Sequence, residues 1–402
     1  MSNPTKYLII GTSAAGLTAA LELRKLDPGA PITCLTSEAE QPYNKCFLVD
    51  YLAGEQVLDN LYLYTPEFLV QQKITILYNS LVIEIKPESQ TIQLVSGELI
   101  NYSKLLIATG ARAWVPQISG LDNLLAQELA LNFYSLQDTL KLQTKLTNNN
   151  LKHVTIIGAG LTGLECADAL WRRGLKVTVI DQNSQILNRV LDLKSAQFLQ
   201  QKIIAVGTEV ILGTQVLAVA QANNSKIKLI LSSQAEIYTD LIILATGVQA
   251  NSIKIVGEQL NLIKQQIQVN QFFETNLPNI WAAGDAILVR DLLTDELRAN
   301  RTWPDAILHG RLAARSMFAD KLSAPELNLS LVPYIGQLAY YKSHMFNLDL
   351  VICGNLSNLQ NIRPDNQVNW AVYNYNLTEQ LQGFILIGDI SQGAKLRRQV
   401  GL

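Results

Sequence analysis

The sequence predicts an α/β protein with two doubly wound parallel-sheet domains and a small α+β domain at the C-terminus. Three observations support this prediction. A strand–turn–helix–strand unit occurs twice, each copy carries a glycine-containing turn, and alternating strand patterns close the chain. The chain has 402 residues, of which 48% are hydrophobic. Because this length exceeds what one core normally serves, we expect several domains.

The repeated unit starts each time with a short apolar run that is typical of a buried strand. In chain order, the six elements are KYLIIG (6–11), TSAAGLTAALELRKL (12–26), APITCLTSE (30–38), KHVTIIG (152–158), AGLTGLECADALWRRG (159–174) and KVTVID (176–181). Gly158 follows Gly11 by 147 residues (158 − 11). The repetition predicts two Rossmann-like sheets.

Strand-rich segments follow both copies and end on the same tripeptide, Ala-Thr-Gly, at residues 108–110 and 245–247. The similarity therefore extends beyond the glycine turns. The remaining predicted segments are a polar joint (146–152), a helix (304–319), a linker (322–333) and two late strands (369–375 and 383–389).

The first turn, GTSAAG at residues 11–16, would present backbone N–H groups at a helix N-terminus, where the helix dipole favours a pyrophosphate. A plain strand-to-helix turn is the alternative, because Ser13 stands where the full motif has glycine. Glu38, 22 residues after Gly16 (38 − 16), is placed to accept hydrogen bonds from a ribose. Glu40 is a rival for that role, and both could instead be exposed loop acids.

The second turn, GAGLTG at residues 158–163, is a complete G-x-G-x-x-G motif between a strand and a helix. Asp181 follows Gly163 by 18 residues (181 − 163), at the end of the next strand. A carboxylate there accepts bonds from a free ribose 2′-hydroxyl and repels a 2′-phosphate, so the sequence predicts NADH rather than NADPH. Arg172 and Arg173 on the intervening helix could weaken this preference.

A third signal is NIWAAGDAI at residues 279–287, in which a short strand ends on Ala-Gly-Asp. The order of these motifs resembles the pyridine nucleotide–disulfide oxidoreductase superfamily over residues 5 to 320. The resemblance implies FAD and NADH as cofactors. It also implies four segments: 1–115 and 248–325 for FAD, 116–247 for NADH, and 326–402 as the C-terminal domain.

The resemblance also assigns site residues. Those implied for FAD are Gly11, Ser13, Ala14, Ala15, Gly16, Glu38, Lys45, Thr109, Gly110, Arg112, Gly284, Asp285 and Ala306. Those implied for NADH are Gly158, Gly160, Leu161, Thr162, Gly163, Glu165, Asp181 and Gly247. In relatives an acid at Glu165 lies near the flavin and nicotinamide; the alternative is an ordinary helix glutamate. Cys46, Glu165 and Trp303 are the predicted catalytic residues.

Cys46 lies in PYNKCFLVDYLAG (42–54), which resembles two branches of the superfamily. In rubredoxin and ferredoxin reductases, Cys46 corresponds to a proline and Asp50 to a lysine that approaches the flavin. In coenzyme A-disulfide reductases and NADH oxidases, Cys46 matches a single redox cysteine. Lys45 and a nearby helix N-terminus would favour its thiolate. The alternative is a small residue in a packed wall.

Helix 304–319 resembles the helix that relatives place beside the flavin, where Trp303, Ala306 and Gly310 match a Trp-x-x-Ala-x-x-x-Gly pattern. The N-terminus of that helix would stabilise negative charge on reduced flavin. His309 is either a proton donor or an ordinary helix histidine. Tyr134 replaces an arginine that contacts the FAD phosphates in relatives, a charge that Arg112 would then supply.

Composition narrows the class of protein. The formal net charge is −2 without a basic block, so we expect no nucleic-acid partner. No signal peptide or membrane span is predicted, and Cys34, Cys46, Cys166 and Cys353 form no metal-ligand or disulfide spacing. Apart from Cys46 we interpret these cysteines as core residues. The predicted compartment is the cytoplasm.

Three functional hypotheses remain open at this point. Electrons from NADH pass through flavin and Cys46 to a disulfide, persulfide or peroxide. Alternatively, they pass directly to a small redox protein such as rubredoxin, with Cys46 structural. In the third hypothesis the chain is a non-catalytic flavoprotein subunit. A homodimer or a larger complex is compatible with each of them.

Overall fold

The computed structural model describes residues 5–148, 151–222, 226–299, 301–319, 331–356, 361–364 and 369–401. The chain forms two compact units. The first comprises Met1–Cys46, Asp59–Arg112 and Gln249–Gln337, and the second comprises Phe47–Leu58, Ala113–Val248 and Leu338–Leu402. The four-segment division with boundaries after residues 115, 247 and 325 stays a prediction.

The helices are named in chain order. They are α1 Ala14–Leu26, α2 Leu48–Ala53, α3 Pro66–Gln71, α4 Leu121–Ala126, α5 Leu136–Asn148, α6 Leu161–Arg172, α7 Leu193–Ala205, α8 Trp303–Ala319 and α9 Gly393–Arg397. Short 3₁₀ turns occur at Lys45–Phe47, Leu58–Leu61 and Gly284–Ala286. Local signals explain some starts: α3 begins after an N-cap Thr65 with proline at its first position, and Asp192 caps α7.

The strands are also named in chain order. They are β1 Thr5–Ile10, β2 Ile32–Leu35, β3 Ile74–Leu77, β4 Val82–Lys86, β5 Thr91–Leu94, β6 Leu99–Ile107, β7 Ala111–Ala113, β8 Ala130–Asn132, β9 His153–Ile157, β10 Lys176–Ile180, β11 Glu209–Ile211, β12 Val216–Gln221, β13 Ile227–Leu231, β14 Glu236–Thr239, β15 Leu241–Leu244, β16 Val248–Ala250, β17 Lys254–Ile255, β18 Leu262–Ile263, β19 Gln266–Ile267, β20 Ile280–Ala282, β21 Val289–Arg290, β22 Leu297–Arg298, β23 Tyr340–Met345, β24 Leu348–Gly354, β25 Asn361–Pro364, β26 Trp370–Tyr375 and β27 Leu381–Ile387.

The first unit is built on a mixed sheet in the order β17-β4-β5-β6-β1-β2-β3, with β20 also paired to β6. The strands β20, β6, β1, β2 and β3 are parallel, whereas β5 is antiparallel to β4 and β6. The apolar residues of β1 and those at the C-terminal end of β6, Leu105–Ile107, are almost fully buried, as expected for a parallel sheet covered on both faces. α1 and α8 pack against each other in this unit.

The second unit contains a parallel sheet in the order β11-β10-β9-β15-β8. A three-stranded antiparallel sheet, β12-β13-β14, follows it in sequence. The C-terminal segment forms an antiparallel sheet in the order β23-β24-β27-β26-β25. The predicted fold class, two doubly wound sheets and a small C-terminal domain, is confirmed.

The internal repeat is present at the level of single hydrogen bonds. Gly11 donates its N–H to the carbonyl of Leu35 at 2.8 Å, and Gly158 donates to the carbonyl of Ile180 at 2.8 Å. The two glycines also share a left-handed backbone, with φ of 115° and 117°. A Cβ atom on Gly11 would lie 2.1 Å from the carbonyl oxygen of Ala108. Only glycine therefore fits this turn.

One predicted segment was partly wrong. Residues 146–152 were predicted as a polar joint, but α5 continues to Asn148. Thr147 and Asn148 are weak helix formers, but the preceding residues of α5 extend the helix through them. Asn149 and Asn150 lie outside the described residues. Most of the predicted linker over 322–333 also lies outside them; residues 331–333 have no regular structure. None of the described helices has the length and apolar character needed to cross a bilayer.

Candidate nucleotide and redox sites

The first glycine turn leads directly into α1. Ser13 is the N-cap residue, and its hydroxyl forms no capping hydrogen bond. Ala14, Ala15 and Gly16 form the first turn of α1 and are buried. The first N–H groups of a helix have no intrahelical partner, so this turn is chemically suited to a phosphate group. The residues predicted for FAD at this turn are thus brought together on one helix start.

The loop after β2 is held by backbone contacts rather than by its acids. The N–H of Glu38 donates to Oγ1 of Thr36 at 3.1 Å, and the N–H of Asn79 donates to the carbonyl of Glu38 at 3.2 Å. The side chains of Glu38 and Glu40 are both half-buried. The ribose-binding role of Glu38, with Glu40 as its rival, therefore stays a prediction.

The end of β6 is tied to a residue that sequence reasoning missed, Asn251. Its Nδ2 donates to the carbonyl of Thr109 at 2.8 Å, and its N–H donates to the carbonyl of Gly110 at 3.0 Å. The hydroxyl of Thr109 donates to the carbonyl of Asn251 at 3.3 Å, while exposed Arg112 reaches Oδ1 of Asn251 at 3.4 Å. Asn251 thus fixes the backbone at the predicted FAD residues Thr109 and Gly110.

Asp285 lies in the 3₁₀ turn that follows β20. At Gly284, where φ is 73°, an added Cβ would lie 3.0 Å from Cβ of Ala15, so this turn adjoins the start of α1. Burial raises the pKa of the Asp285 carboxyl, and the positive charges of Lys45 and Arg301 oppose that shift. The Asp285 side chain is half-buried.

A half-buried carboxylate is stabilised when a ligand supplies hydrogen-bond donors to it. The hydroxyl-rich ribityl chain of FAD supplies such donors, and the adjacent start of α1 suits its pyrophosphate. The residues of the first unit therefore fit FAD, for which Asp285 and residues 11–16 stay the predicted contacts.

The segment around Cys46 is anchored on its N-terminal side. Asn44 donates its N–H to the carbonyl of Leu61 at 2.8 Å, and Leu63 donates to the carbonyl of Pro42 at 2.9 Å. The N–H of Cys46 in turn donates to Oδ1 of Asn44 at 3.0 Å. The structure therefore holds Cys46 at a defined place on a 3₁₀ turn, one residue after Lys45.

Cys46 differs from the other three cysteines in exposure. None of these four described cysteines forms a disulfide, and Cys46 is exposed, whereas Cys34, Cys166 and Cys353 each have 0% exposure. Burial raises the pKa of the Cys34 and Cys353 thiols to about 12, and it raises that of Cys166 as well. The interpretation of these three as core residues is confirmed. A thiol that can act as a nucleophile must be accessible, and among the four Cys46 meets that condition.

Trp303 is the first residue of α8, and it is half-buried against the core of the first unit. Ala306 is 8% exposed, and a Cβ on Gly310 would lie 2.1 Å from the carbonyl of Ala15, so α8 closely approaches α1. His309 is buried, with Nε2 at 3.2 Å from both the Tyr334 hydroxyl and Oε1 of Gln337. Burial lowers its pKa to about 4. This setting supports the interpretation of His309 as an ordinary neutral helix histidine.

In the second unit, the turn of residues 158–163 opens α6. A Cβ on Gly160 would meet nothing within 4 Å, so this position is open. Leu161 is half-buried and Thr162 exposed at the start of α6, while Gly163 packs against the carbonyl of Gly158. The open position beside a helix start suits the pyrophosphate of NADH.

Asp181 follows β10 and lies against the same turn. Its Oδ2 accepts the N–H of Ala159 at 2.7 Å, and its Oδ1 accepts the N–H and Nδ2 of Asn183 at 2.8 and 2.7 Å. Arg172 is paired with Glu55 and, at 2.9 Å, with Asp168. These pairs occupy Arg172, one of the two arginines that could weaken the predicted preference for NADH.

Arg173 is also engaged. Its Nη1 donates to the carbonyl of Leu52 at 2.9 Å and to Oε1 of Gln143 at 2.6 Å.

Gly247 follows β15, and its carbonyl accepts the N–H of Trp114 at 2.9 Å. Tyr134, which replaces an arginine of relatives, lies half-buried just after β8. Whether Arg112 compensates for that replacement stays a prediction.

Glu165 lies on α6, and its Oε1 accepts a hydrogen bond from the Ser343 hydroxyl at 2.6 Å. Burial raises the pKa of Glu165, the Ser343 bond opposes the shift, and the negative charges of Asp50 and Asp168 add to it. Ser343 comes from the C-terminal sheet and was not identified from the sequence. No local pattern marks it, because its partner lies 178 residues away.

The chain belongs to the pyridine nucleotide-disulphide oxidoreductase family, whose model matches residues 5–310. It is 30% identical over 340 residues to an NADH oxidase of Methanocaldococcus jannaschii, covering 83% of this chain and 74% of that protein. It is 27% identical over 402 residues to the ferredoxin–NAD(+) reductase component of the 3-phenylpropionate/cinnamic acid dioxygenase of Photorhabdus laumondii, covering 99% of this chain and 95% of that protein.

The fold also matches solved structures. The NADH-bound water-forming NADH oxidase from Lactobacillus brevis superposes with a TM-score of 0.87 at 20% identity, covering 98% of this chain and 91% of that chain. The protein is therefore an oxidoreductase that uses FAD and NADH, as the sequence predicted. This membership removes the alternative of a non-catalytic binding subunit.

Proposed function

We propose that the protein transfers two electrons from NADH, by way of FAD and Cys46, to a disulfide, persulfide or peroxide. The observation that carries this proposal is the exposure of Cys46, which the Asn44 side chain fixes on its turn, next to Lys45. Bound FAD supplies the two-electron store between NADH and the acceptor.

For a disulfide acceptor, the Cys46 thiolate attacks one sulfur. A Cys46–sulfur bond forms, the acceptor disulfide breaks, and the first thiol leaves with a proton from solvent. Two electrons and one proton then release the second thiol and return the Cys46 thiolate. The sum is NADH + H⁺ + RSSR′ → NAD⁺ + RSH + R′SH. Lys45, beside the reacting sulfur in sequence, favours the thiolate that starts this step.

The cofactor roles follow the same proposal. Residues 11–16 and Asp285 hold FAD, with Thr109, Gly110 and Trp303 shaping its surroundings. Residues 158–163 hold the pyrophosphate of NADH, and Asp181 accepts hydrogen bonds from its ribose. Glu165 is proposed to lie near the nicotinamide, where an ionised carboxylate stabilises the positive charge of NAD⁺.

A second candidate has specific support. The match to the ferredoxin–NAD(+) reductase component covers 99% of this chain and 95% of that protein, including the C-terminal sheet. In that candidate the acceptor is a small iron–sulfur electron carrier, and Cys46 takes no part in electron transfer.

A test compares wild type with Cys46→Ser, using NADH and a panel of a low-molecular-weight disulfide, a persulfide, hydrogen peroxide, rubredoxin and ferredoxin. We expect the variant to lose at least about 100-fold in turnover with one sulfur or peroxide acceptor, because it lacks the nucleophile. Flavin reduction by NADH should keep its rate. The matched control is Cys46→Ser combined with Ser96→Cys, which restores an exposed thiol elsewhere in the first unit.

The control should stay inactive, because position as well as exposure defines the site. Turnover of every sulfur and peroxide acceptor at the wild-type rate by Cys46→Ser contradicts the first candidate. Rapid reduction of rubredoxin or ferredoxin by both proteins then supports the second.

A further inference from the structure

We propose that Ser343, on the first strand of the C-terminal sheet, is a positioning residue that orients the Glu165 carboxylate toward NAD⁺. The inference rests on the proposed role of Glu165 near the nicotinamide. It assigns the C-terminal sheet a part in nucleotide use.

Two contacts of equal spacing join β23 and the residue after it to α6. The Ser343 hydroxyl donates to Oε1 of Glu165 at 2.6 Å. Three residues further along each element, the N–H of Phe346 donates to Oδ1 of Asp168 at 2.9 Å. The Phe346 ring also contacts Trp171, with centroids 5.9 Å apart. The strand therefore follows the helix in a fixed register, which places the Ser343 hydroxyl on the carboxylate.

Several charged side chains lie around Glu165. Asp50 comes from α2, Glu55 from the turn after it, Asp168 and Arg172 from α6, and His344 from β23. Arg172 is paired with Asp168 and Glu55, and His344 with Asp349.

Asp50 and Asp168 disfavour the negative charge of Glu165, and the hydrogen bond from Ser343 opposes their effect. Ser343 is 8% exposed, so water does not readily replace its hydroxyl.

Removal of the hydroxyl changes what Glu165 offers to a ligand. Without its donor, a half-buried carboxylate between two negative neighbours takes up a proton more readily. A neutral Glu165 no longer attracts the cationic ring of NAD⁺, but it changes little for the neutral ring of NADH. Loss of a hydrogen bond to a charged group changes the equilibrium constant for NAD⁺ binding by about tenfold.

The test measures NAD⁺ and NADH dissociation constants of the FAD-loaded protein by calorimetry, from mildly acidic to mildly alkaline pH. We expect Ser343→Ala to weaken NAD⁺ binding about tenfold at neutral pH, with recovery at alkaline pH and no comparable change for NADH. Ser343→Thr keeps the hydroxyl and should restore the NAD⁺ affinity. Ser343→Cys replaces the alanine variant if that variant does not fold.

Ser195→Ala is the matched control. The Ser195 hydroxyl accepts a hydrogen bond from Nε1 of Trp370 at 2.7 Å. Ser195→Ala therefore also removes a buried serine contact between the C-terminal sheet and a helix. Because it leaves Glu165 untouched, we expect wild-type affinities for both nucleotides. An equal loss in Ser195→Ala and Ser343→Ala overturns the proposal, since sheet docking would then explain both.

Glu165→Gln separates this inference from the proposed function. If Glu165→Gln weakens NAD⁺ binding but Ser343→Ala does not, the positioning role fails and the role of Glu165 stands. If Glu165→Gln leaves the ratio of NAD⁺ to NADH affinity unchanged, the role of Glu165 fails and the Ser343 inference fails with it.

Discussion

The backbone N–H of Ala159 donates to the Asp181 carboxylate at 2.7 Å, which joins the glycine turn of the second unit to the acid at the end of the next strand. One oxygen of the carboxylate thus faces the turn, while the other accepts two bonds from Asn183. The contact fixes an anionic group beside the proposed pyrophosphate site, where the ribose of a dinucleotide is expected.

Replacement of this acid should relax the choice of nucleotide. We expect Asp181→Ser to lower the ratio of kcat/KM for NADH over NADPH by about tenfold or more, because it removes both a ribose acceptor and a charge that repels a 2′-phosphate. Steady-state kinetics with both nucleotides measure the ratio. Asn183→Ala is a suitable control, since it keeps the charge. A ratio that stays at the wild-type value would place the ribose elsewhere.

Asp285 should govern flavin content. We expect Asp285→Ala to lose most of its bound FAD on purification, because the variant lacks the acceptor proposed for the ribityl hydroxyls. The ratio of flavin absorbance to protein measures this loss. Asp295→Ala, which removes an exposed acid of the same unit that pairs with Arg290, should keep full flavin. Normal flavin content in Asp285→Ala would refute the assignment.

The same residue should destabilise the protein when FAD is absent. Burial raises the pKa of Asp285, so the folded state holds a proton that the unfolded state releases as pH rises above the ordinary aspartate pKa. Stability is therefore lost as pH rises from the ordinary aspartate pKa to the raised pKa of folded Asp285.

We expect flavin-free Asp285→Asn to exceed wild type by about 1 kcal/mol in free energy of unfolding at neutral pH. The difference should vanish at acidic pH, as measured by urea unfolding. A gain that persists at acidic pH would point to another cause.

His309 should make stability fall on acidification. Its pKa is lowered to about 4, so between the ordinary value of 6.5 and that value the unfolded state binds a proton that the folded state excludes. Stability then falls as pH decreases, with a slope of up to about 1.4 kcal/mol per pH unit from this residue. Denaturant unfolding should show a shallower slope for His309→Gln. A wild-type slope in His309→Gln would contradict this assignment.

Asn44 should affect the acceptor step alone. Its side chain accepts the N–H of Cys46 at 3.0 Å, so Asn44→Ala releases the turn that holds the thiol. We expect about a tenfold loss in turnover of the acceptor that depends on Cys46, with flavin reduction by NADH unchanged. Stopped-flow absorbance separates the two steps, and Asn44→Asp keeps the acceptor oxygen as a control. Slower flavin reduction in Asn44→Ala would instead indicate a role in holding FAD.

Much of the candidate site follows from local sequence patterns. The turns at residues 11–16 and 158–163 require glycine at defined offsets between a strand and a helix, and Gly11 and Gly158 indeed adopt φ values of 115° and 117°. Asp181 was identified because it follows a short buried strand at a spacing that nucleotide-binding units share, and Asp285 because its strand, which ends on Ala-Gly-Asp, resembles a segment of the family. Such signals depend on neighbours in the chain, so one sequence suffices to find them.

The tertiary structure decided which side chains support these residues. Asn251 meets Thr109 across 142 positions, and Ser343 meets Glu165 across 178. Neither partner carries a sequence signal, because asparagine and serine are ordinary strand and loop residues until packing removes water from their contacts. Exposure also distinguishes Cys46 from the three buried cysteines, a difference that amino-acid composition does not reveal. The chain itself thus specified the turns proposed to bind nucleotides, whereas long-range packing set the environment of the charged and thiol groups.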